Sequence, residues 1–156
     1  MKNTNEMNEN KKQPRGLRNN NPLNIRRTRT EWIGEVPILN GRQDPEFCQF
    51  RSQSYGWRAA FVLLTSTYYR RYHLYTIEKI IRRWAPPCEN RTRLYIARVS
   101  AQMRYPWDEP LGLPTDVPSR WMQLALAMAV VENGTGEGID TVAMLDGWRM
   151  ARQSVN

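Results

Sequence analysis

Hydrophobic spacing changes character near Ser54. Before it, between Trp32 and Phe50, apolar residues come in short pieces broken by Gly34, Pro37, Asn40-Gly41 and Pro45. Asn-Gly favours the tight turn that joins two antiparallel strands, so a small hairpin is expected around residues 36–50. The preceding run Arg18–Arg26 (RNNNPLNIR) is too polar for a helix and too dense in Asn and Pro for a strand. Asparagine side chains bond neighbouring backbone groups, and a structured loop is expected there. After Ser54 the spacing becomes helical: Trp57, Ala60, Phe61, Leu64, Tyr68 and Tyr72 form one stripe. Thr76 is an N-cap for a short amphipathic helix carrying Ile77, Ile80, Ile81 and Trp84, which Pro86-Pro87 ends.

A further helix is expected from Asn90 or Thr92, with Leu94, Tyr95, Val99 and Met103 on one side and arginines on the other. Pro106, Pro110, Pro114 and Pro118 mark a long loop. Ser119 then caps a helix from Arg120 to about Glu132 that is apolar nearly all round, the pattern of a helix in the middle of a domain. Asn133-Gly134 stops it, and Ile139–Gln153 is the last helix. The fold class that results is α+β, mainly α: a helical domain over 15–156 with one small β-hairpin, preceded by a disordered basic arm over 1–14.

Composition narrows the chemistry. One histidine and two cysteines are too few for a zinc site of the usual nitrogen and sulfur ligands, and no Walker or dinucleotide-binding loop occurs. Neither a metal nor a cofactor is expected. Mean hydropathy is -0.70, and the longest unbroken apolar run, Leu124–Val131, is too short to span a bilayer. The first residues carry no secretory apolar stretch, so Cys48 and Cys88 are expected as reduced thiols. The net charge is +8, yet residues 1–30 hold eight basic and two acidic side chains, so the excess belongs mostly to the amino-terminal end. It suits a polyanion or an anionic cell envelope. Beyond the arm, arginines alternate with acids without a nucleic-acid recognition element, which argues against specific nucleic-acid binding.

Glu132 is the most informative single residue. A carboxylate ending a buried helix beside a glycine turn meets apolar surroundings and a helix C-terminus, both of which favour its protonated form. A general acid needs this near neutral pH, although a surface glutamate after the last core residue has the same local sequence. Asp44, Glu46 and Glu89 are further carboxylates near loops. The tyrosines at 68, 69, 72 and 75 read first as core and rim aromatics and second as a sugar-stacking wall.

Two resemblances give these residues a setting. Arg15–Arg26, Trp32-Ile33-Gly34, Asp44–Phe50, Gly56–Ala59 and Arg83–Tyr95 (RWAPPCENRTRLY) resemble a phage and prophage family of virion structural proteins and virion-associated lysins. Leu23 stands where that family usually has glycine, and a positive φ there would be costly for leucine. The chain is also similar to bacterial glucosaminidases of the lysozyme-like superfamily, which place a catalytic glutamate at the end of an apolar helix. In them the helix precedes an Asn-rich segment, a hairpin, further helices and a Tyr-containing segment. Here the same parts occur in that order, but the acidic helix comes last, as in a circular permutation. The resemblance implies a lysozyme-like fold and a peptidoglycan hydrolase cutting the β-1,4 glycan strand as a glucosaminidase, muramidase or lytic transglycosylase. Glu132 would be the acid and Asp44 the second catalytic group, with Glu89 behind it. Asn20, Asn21 and Asn24 would hold acetamido groups, and Tyr95 would line the cleft. The partners implied are glycan strands and other virion or secretion-apparatus proteins, reached from a virion or the host cytoplasm. The other reading is a non-catalytic virion or wall-binding protein on the same fold.

Overall fold

The computed structural model describes residues 13–39, 43–85 and 87–153. Most of the expected arm and the Asn40-Gly41 turn lie outside them. The described chain is mainly helical: α1 (Arg15–Arg18), α2 (Gln53–Phe61), a π-helical continuation of α2 (Val62–Arg71), α3 (Ile77–Trp84), α4 (Glu89–Met103), α5 (Pro118–Asn133) and α6 (Thr141–Gln153).

The boundaries follow local chemistry. Thr76 caps α3 as expected, its hydroxyl accepting from the Lys79 amide at 3.2 Å. α5 differs at its start. Val117, not Ser119, is the residue before the helix, no side chain caps it, and Pro118 occupies the first turn. Proline suits that place because its missing N–H is one the first turn cannot pair and its φ is already helical. α6 begins at Thr141 instead of Ile139, with the Asp140 carboxylate accepting from the Ala143 amide at 3.0 Å.

The expected hairpin is not present as a ladder. The described residues show two isolated antiparallel bridges, Arg26 with Phe47 and Glu35 with Phe50. Residues 46–50 therefore lie between two loop segments: Cys48 N–H donates to Ile25 O at 2.9 Å and Val36 N–H to Gln49 O at 2.7 Å. The sequence signals a turn but does not show that the Asn-rich loop also bonds this segment.

α5 is central. Trp121, Leu124, Ala125, Ala127, Met128 and Ala129 are buried along it, and it packs on α4 and α1. On α4 the inner face is Tyr95, Ile96 and Val99, whereas Leu94 is 52% exposed. α2 and α6 form the other tight pair, with the Phe61 ring meeting Trp148 edge-on at 5.0 Å. They approach closely at Gly147: a Cβ there would strike Trp57 Cβ and lie 2.8 Å from Arg58 N and from Ser54 O.

The helical stripe holds through Leu64, which is fully buried, and then turns outward, leaving Tyr72 37% exposed. The cause is the change to π geometry at Val62. Tyr72 N–H bonds Thr67 O, five residues back, at 3.1 Å, and the Thr65 hydroxyl donates to Phe61 O at 2.7 Å. Five residues make about 1.4 α-turns, but a π-helix closes its turns with i to i+5 bonds. Leu63 and Tyr68, five apart, consequently share a face and line one groove.

Candidate functional site

The Asn-rich loop is built from its own amides. Asn21 is fully buried and fully used: its Nδ2 donates to Ile25 O at 3.0 Å and Cys48 O at 2.8 Å, and its Oδ1 accepts from Ile25 N at 2.9 Å. Asn20 and Asn24 both take φ +52°, a left-handed conformation that asparagine tolerates better than most residues. Leu23 is not among the positive-φ residues. It is fully buried in the core, so leucine here adds packing without forcing a strained turn.

This loop docks on the end of α5. Asn133 Nδ2 donates to Pro22 O and to Ala129 O, both at 2.8 Å. Asn24 Nδ2 lies 3.4 Å from Glu132 O, and the Asn24 side chain also bonds the Glu132 carboxylate. Gly16 lies beneath both amides: a Cβ there would be 2.6 Å from Asn133 Oδ1 and 2.7 Å from Asn24 Oδ1. The loop and the acidic helix end, more than a hundred residues apart in sequence, thus form one junction.

Glu132 is half-buried at that junction. Burial raises its pKa above the ordinary glutamate value, opposed by hydrogen bonds from Tyr95 and Asn24 and by the charge of Arg26. Tyr95 is 7% exposed, and burial, the Glu132 charge and their hydrogen bond all raise its own pKa. Its hydroxyl also lies 3.4 Å from Met128 O. A single phenolic proton serves one acceptor at a time, and an ionised carboxylate is the stronger one.

Glu132 opens on two depressions at once. One, of about 500 Å³, has walls of Arg26, Phe47, Leu63, Tyr68 and Trp84. The other, of about 360 Å³, is lined by Arg91, Leu94, Tyr95 and Arg98 of α4. Ala85 and Glu132 line both, so the two depressions are adjacent and the carboxylate stands where they meet. The aromatic side continues past Tyr68 toward Leu74, Lys79 and Arg83. Among the described residues lining the two depressions beside it, Glu132 is the only carboxylate. A separate cavity of about 110 Å³, by Arg70 and Arg152, shares no residue with this groove.

The remaining sequence candidates sit elsewhere. Asp44 is not among the groove-lining residues. It accepts from Arg15 Nη2 at 2.7 Å, Asn19 Nδ2 at 2.9 Å, and the Glu46 and Phe47 amides at 3.0 Å each. The Arg15 hydrogen bond above all holds its pKa well below the usual carboxylate range. Its connection to the groove is indirect, through the turn that presents Phe47, whose ring also carries Arg15 at 4.5 Å and Arg26 at 4.8 Å. Glu89, at the start of α4, is exposed and pairs with Arg82 and Arg93. Asn20 Nδ2 is spent on Phe50 O at 3.1 Å, and only Asn24 of the three asparagines lines the groove. Cys48 and Cys88 are free thiols, and burial pushes the Cys48 thiol up to about 12.

Arg26, Phe47, Trp84, Arg91 and Arg98 were not singled out from sequence, and Tyr68 only as a second reading. Trp84 carried a signal in its place before Ala85-Pro86-Pro87. The arginines carried none beyond their spacing.

Geometry and composition together define a mainly helical protein with a half-buried glutamate of raised pKa beside adjacent aromatic and basic depressions. Over 124 residues it is 39% identical to protein P5 of Pseudoalteromonas phage PM2, covering 78% of this chain and 72% of that one. The chain belongs to the family of that phage protein. No protein-family model matches it. No helix among the described residues is long and apolar enough to cross a membrane.

Proposed function

We propose that this phage protein cleaves the glycan strand of bacterial peptidoglycan, with Glu132 as its acid. The observation that carries the reading is the junction itself: a glutamate favoured in its protonated form by burial, in contact with Tyr95 and Asn24, lining two adjacent depressions. Apart from the hairpin, the order of amide loop, helices and acidic helix end resembles that of a lysozyme-like glucosaminidase in permuted order, which supports the reading. Phe47, Tyr68 and Trp84 offer the flat apolar faces on which sugar rings stack, and Asn24 an amide at the acid.

With a single carboxylate in the groove, the chemistry takes its second group from the substrate. Glu132 gives its proton to the glycosidic oxygen as the C1–O bond breaks, and the sugar's own acetamido oxygen stabilises the positive charge at C1. The Glu132 carboxylate then takes the proton of the muramyl 6-hydroxyl as that oxygen bonds C1. The product is an anhydro sugar, no water is consumed, and the acid is restored. Tyr95 donates to the carboxylate while it is ionised. Asp44 has no step in this scheme; its role is to hold the turn bearing Phe47. A protein with this activity would act from the virion during entry or from the host cytoplasm at lysis.

Mass analysis of muropeptides released from purified sacculi is the test. The expected products end in anhydro sugars, and Glu132→Gln, which keeps the shape and removes the proton donor, lowers release by at least about 100-fold. Products ending in reducing sugars would replace the second half of the scheme with attack by water. Equal release by Glu132→Gln and the parent would remove Glu132 from the chemistry. Binding to sacculi without any release would leave a wall-binding virion protein.

A further inference from the structure

The two sides of Glu132 differ in chemistry, and the difference is not required for cleavage. One side is mainly aromatic, and its Arg26 is engaged by Glu46 and the Phe47 ring. The other runs along α4, where Arg91, Leu94, Tyr95 and Arg98 recur at i, i+3, i+4 and i+7 and therefore share a face. Arg91 and Arg98 are exposed, and neither side chain has an ion-pair or hydrogen-bond partner among the described residues. Their neighbours on the same helix behave otherwise: Arg93 is spent on Glu89, which also takes Arg82. No acidic side chain other than Glu132 lines this depression. Two unpaired guanidinium groups, about 10 Å apart along the helix, thus flank a concave surface that begins at the acid.

We infer that the Arg91–Arg98 side of the groove binds the carboxylates of the peptide stems carried by the glycan strand. The inference rests on the reading that the strand crosses Glu132. A strand lying there presents hydroxyl and acetamido groups to the aromatic side, none of which needs a cation. The anionic parts of peptidoglycan project from the sugar backbone as lactyl-linked peptides. The guanidinium fork matches a carboxylate with two parallel hydrogen bonds, and exposed Leu94 between the two arginines gives the stem an apolar surface. The site consequently selects strands that still bear stems over bare polysaccharide.

The test separates binding from cleavage by using Glu132→Gln as the parent. Its dissociation constant is measured for soluble glycan strands with intact stems and for the same strands stripped by an amidase, which leaves a free lactyl carboxylate. The parent is expected to bind stem-bearing strands about tenfold more tightly, as two charge-assisted contacts allow, with the preference shrinking as salt rises. Adding Arg91→Gln and Arg98→Gln brings the ratio close to one, and Arg98→Glu inverts it. Both positions are exposed and glutamine is a good helix former, so α4 is expected to fold, as its circular dichroism would verify. An unchanged ratio in the double variant overturns the inference, as does a parent without preference or one that prefers the free lactyl carboxylate. If the unmutated protein releases no muropeptides yet the arginine-dependent preference is present, the cleavage reading fails and the stem site stands. If it releases muropeptides and binding shows no dependence on the two arginines, the stem site fails and cleavage stands.

Discussion

Glu132 and Asp44 show how two carboxylates take opposite roles through their surroundings. Asp44 accepts five hydrogen bonds from four residues and has its pKa lowered, chiefly by Arg15. It contributes stability that is present above its ordinary value of 3.8 and is lost as pH falls. Glu132 has its pKa raised above 4.5 by burial, so the fold favours its protonated form. Its favourable contribution is complete below 4.5 and is lost as pH rises through the folded value, leaving a cost at neutral pH. Glu132→Gln removes that titration. Its thermal midpoint is therefore expected to exceed that of the parent at about pH 8 and to converge on it near pH 4. A difference independent of pH would show that Glu132 titrates normally. Under the proposed function, such a cost is what a proton-transferring site would tolerate.

Elements set the walls of the groove. The π geometry of Val62–Arg71 decides that Leu63 and Tyr68 face the same way, and α3 brings Trp84 edge-on to Tyr68 at 5.8 Å. That wall depends on α2 being held in place by α6, and the contact has no spare volume at Gly147. Gly147→Ala is expected to lower stability by about 1–3 kcal/mol despite alanine's better helix propensity, because the added methyl overpacks backbone that cannot move. Urea unfolding measures this, and a neutral or stabilised variant would mean that the two helices separate easily. Helix spacing alone marks the apolar residues of both helices, but the demand for a glycine at one crossing is a property of the pair.

At the scale of the molecule, the site exists because two distant stretches meet. Asn133 joins the end of α5 to the Asn-rich loop through Pro22 O and caps its own helix at Ala129 O. Asn133→Ala leaves two buried carbonyls without the Asn133 donor and is expected to cost about 1–3 kcal/mol. It should also disturb Glu132, since Asn24 holds its place only while the loop stays docked. Urea unfolding and muropeptide release should therefore fall together in this variant. A loss of stability with full activity would show that the junction serves the fold alone. The long-range ties also explain how the acidic helix can sit last in the chain and still face the amide loop: contact in space, not order in sequence, is what proton transfer requires.

The sequence by itself determined the helices, since apolar spacing, Thr76 and the Pro86-Pro87 stop are local signals that bury or end an element whatever surrounds it. It determined Glu132 as a carboxylate at the end of a buried helix, and the Asn-rich run as a loop that pairs with itself. It did not determine which asparagine faces the groove, because Asn20, Asn21 and Asn24 are the same residue until the backbone directs one into the core, one to Phe50 and one to Glu132. Nor did it determine the place of Asp44, whose charge reads as catalytic in isolation and becomes a tie for Arg15, Asn19 and the Phe47 turn once those groups converge. Of the hairpin, the described residues show only the pairing of Glu35 with Phe50, and the Ile25 loop bonds Cys48 of the same segment, a partner that the local sequence does not announce. Only the tertiary structure set the two depressions side by side at Glu132 and left Arg91 and Arg98 without acids among the described residues, because the partners of an exposed charge are chosen by packing across the whole chain and leave no trace in local sequence.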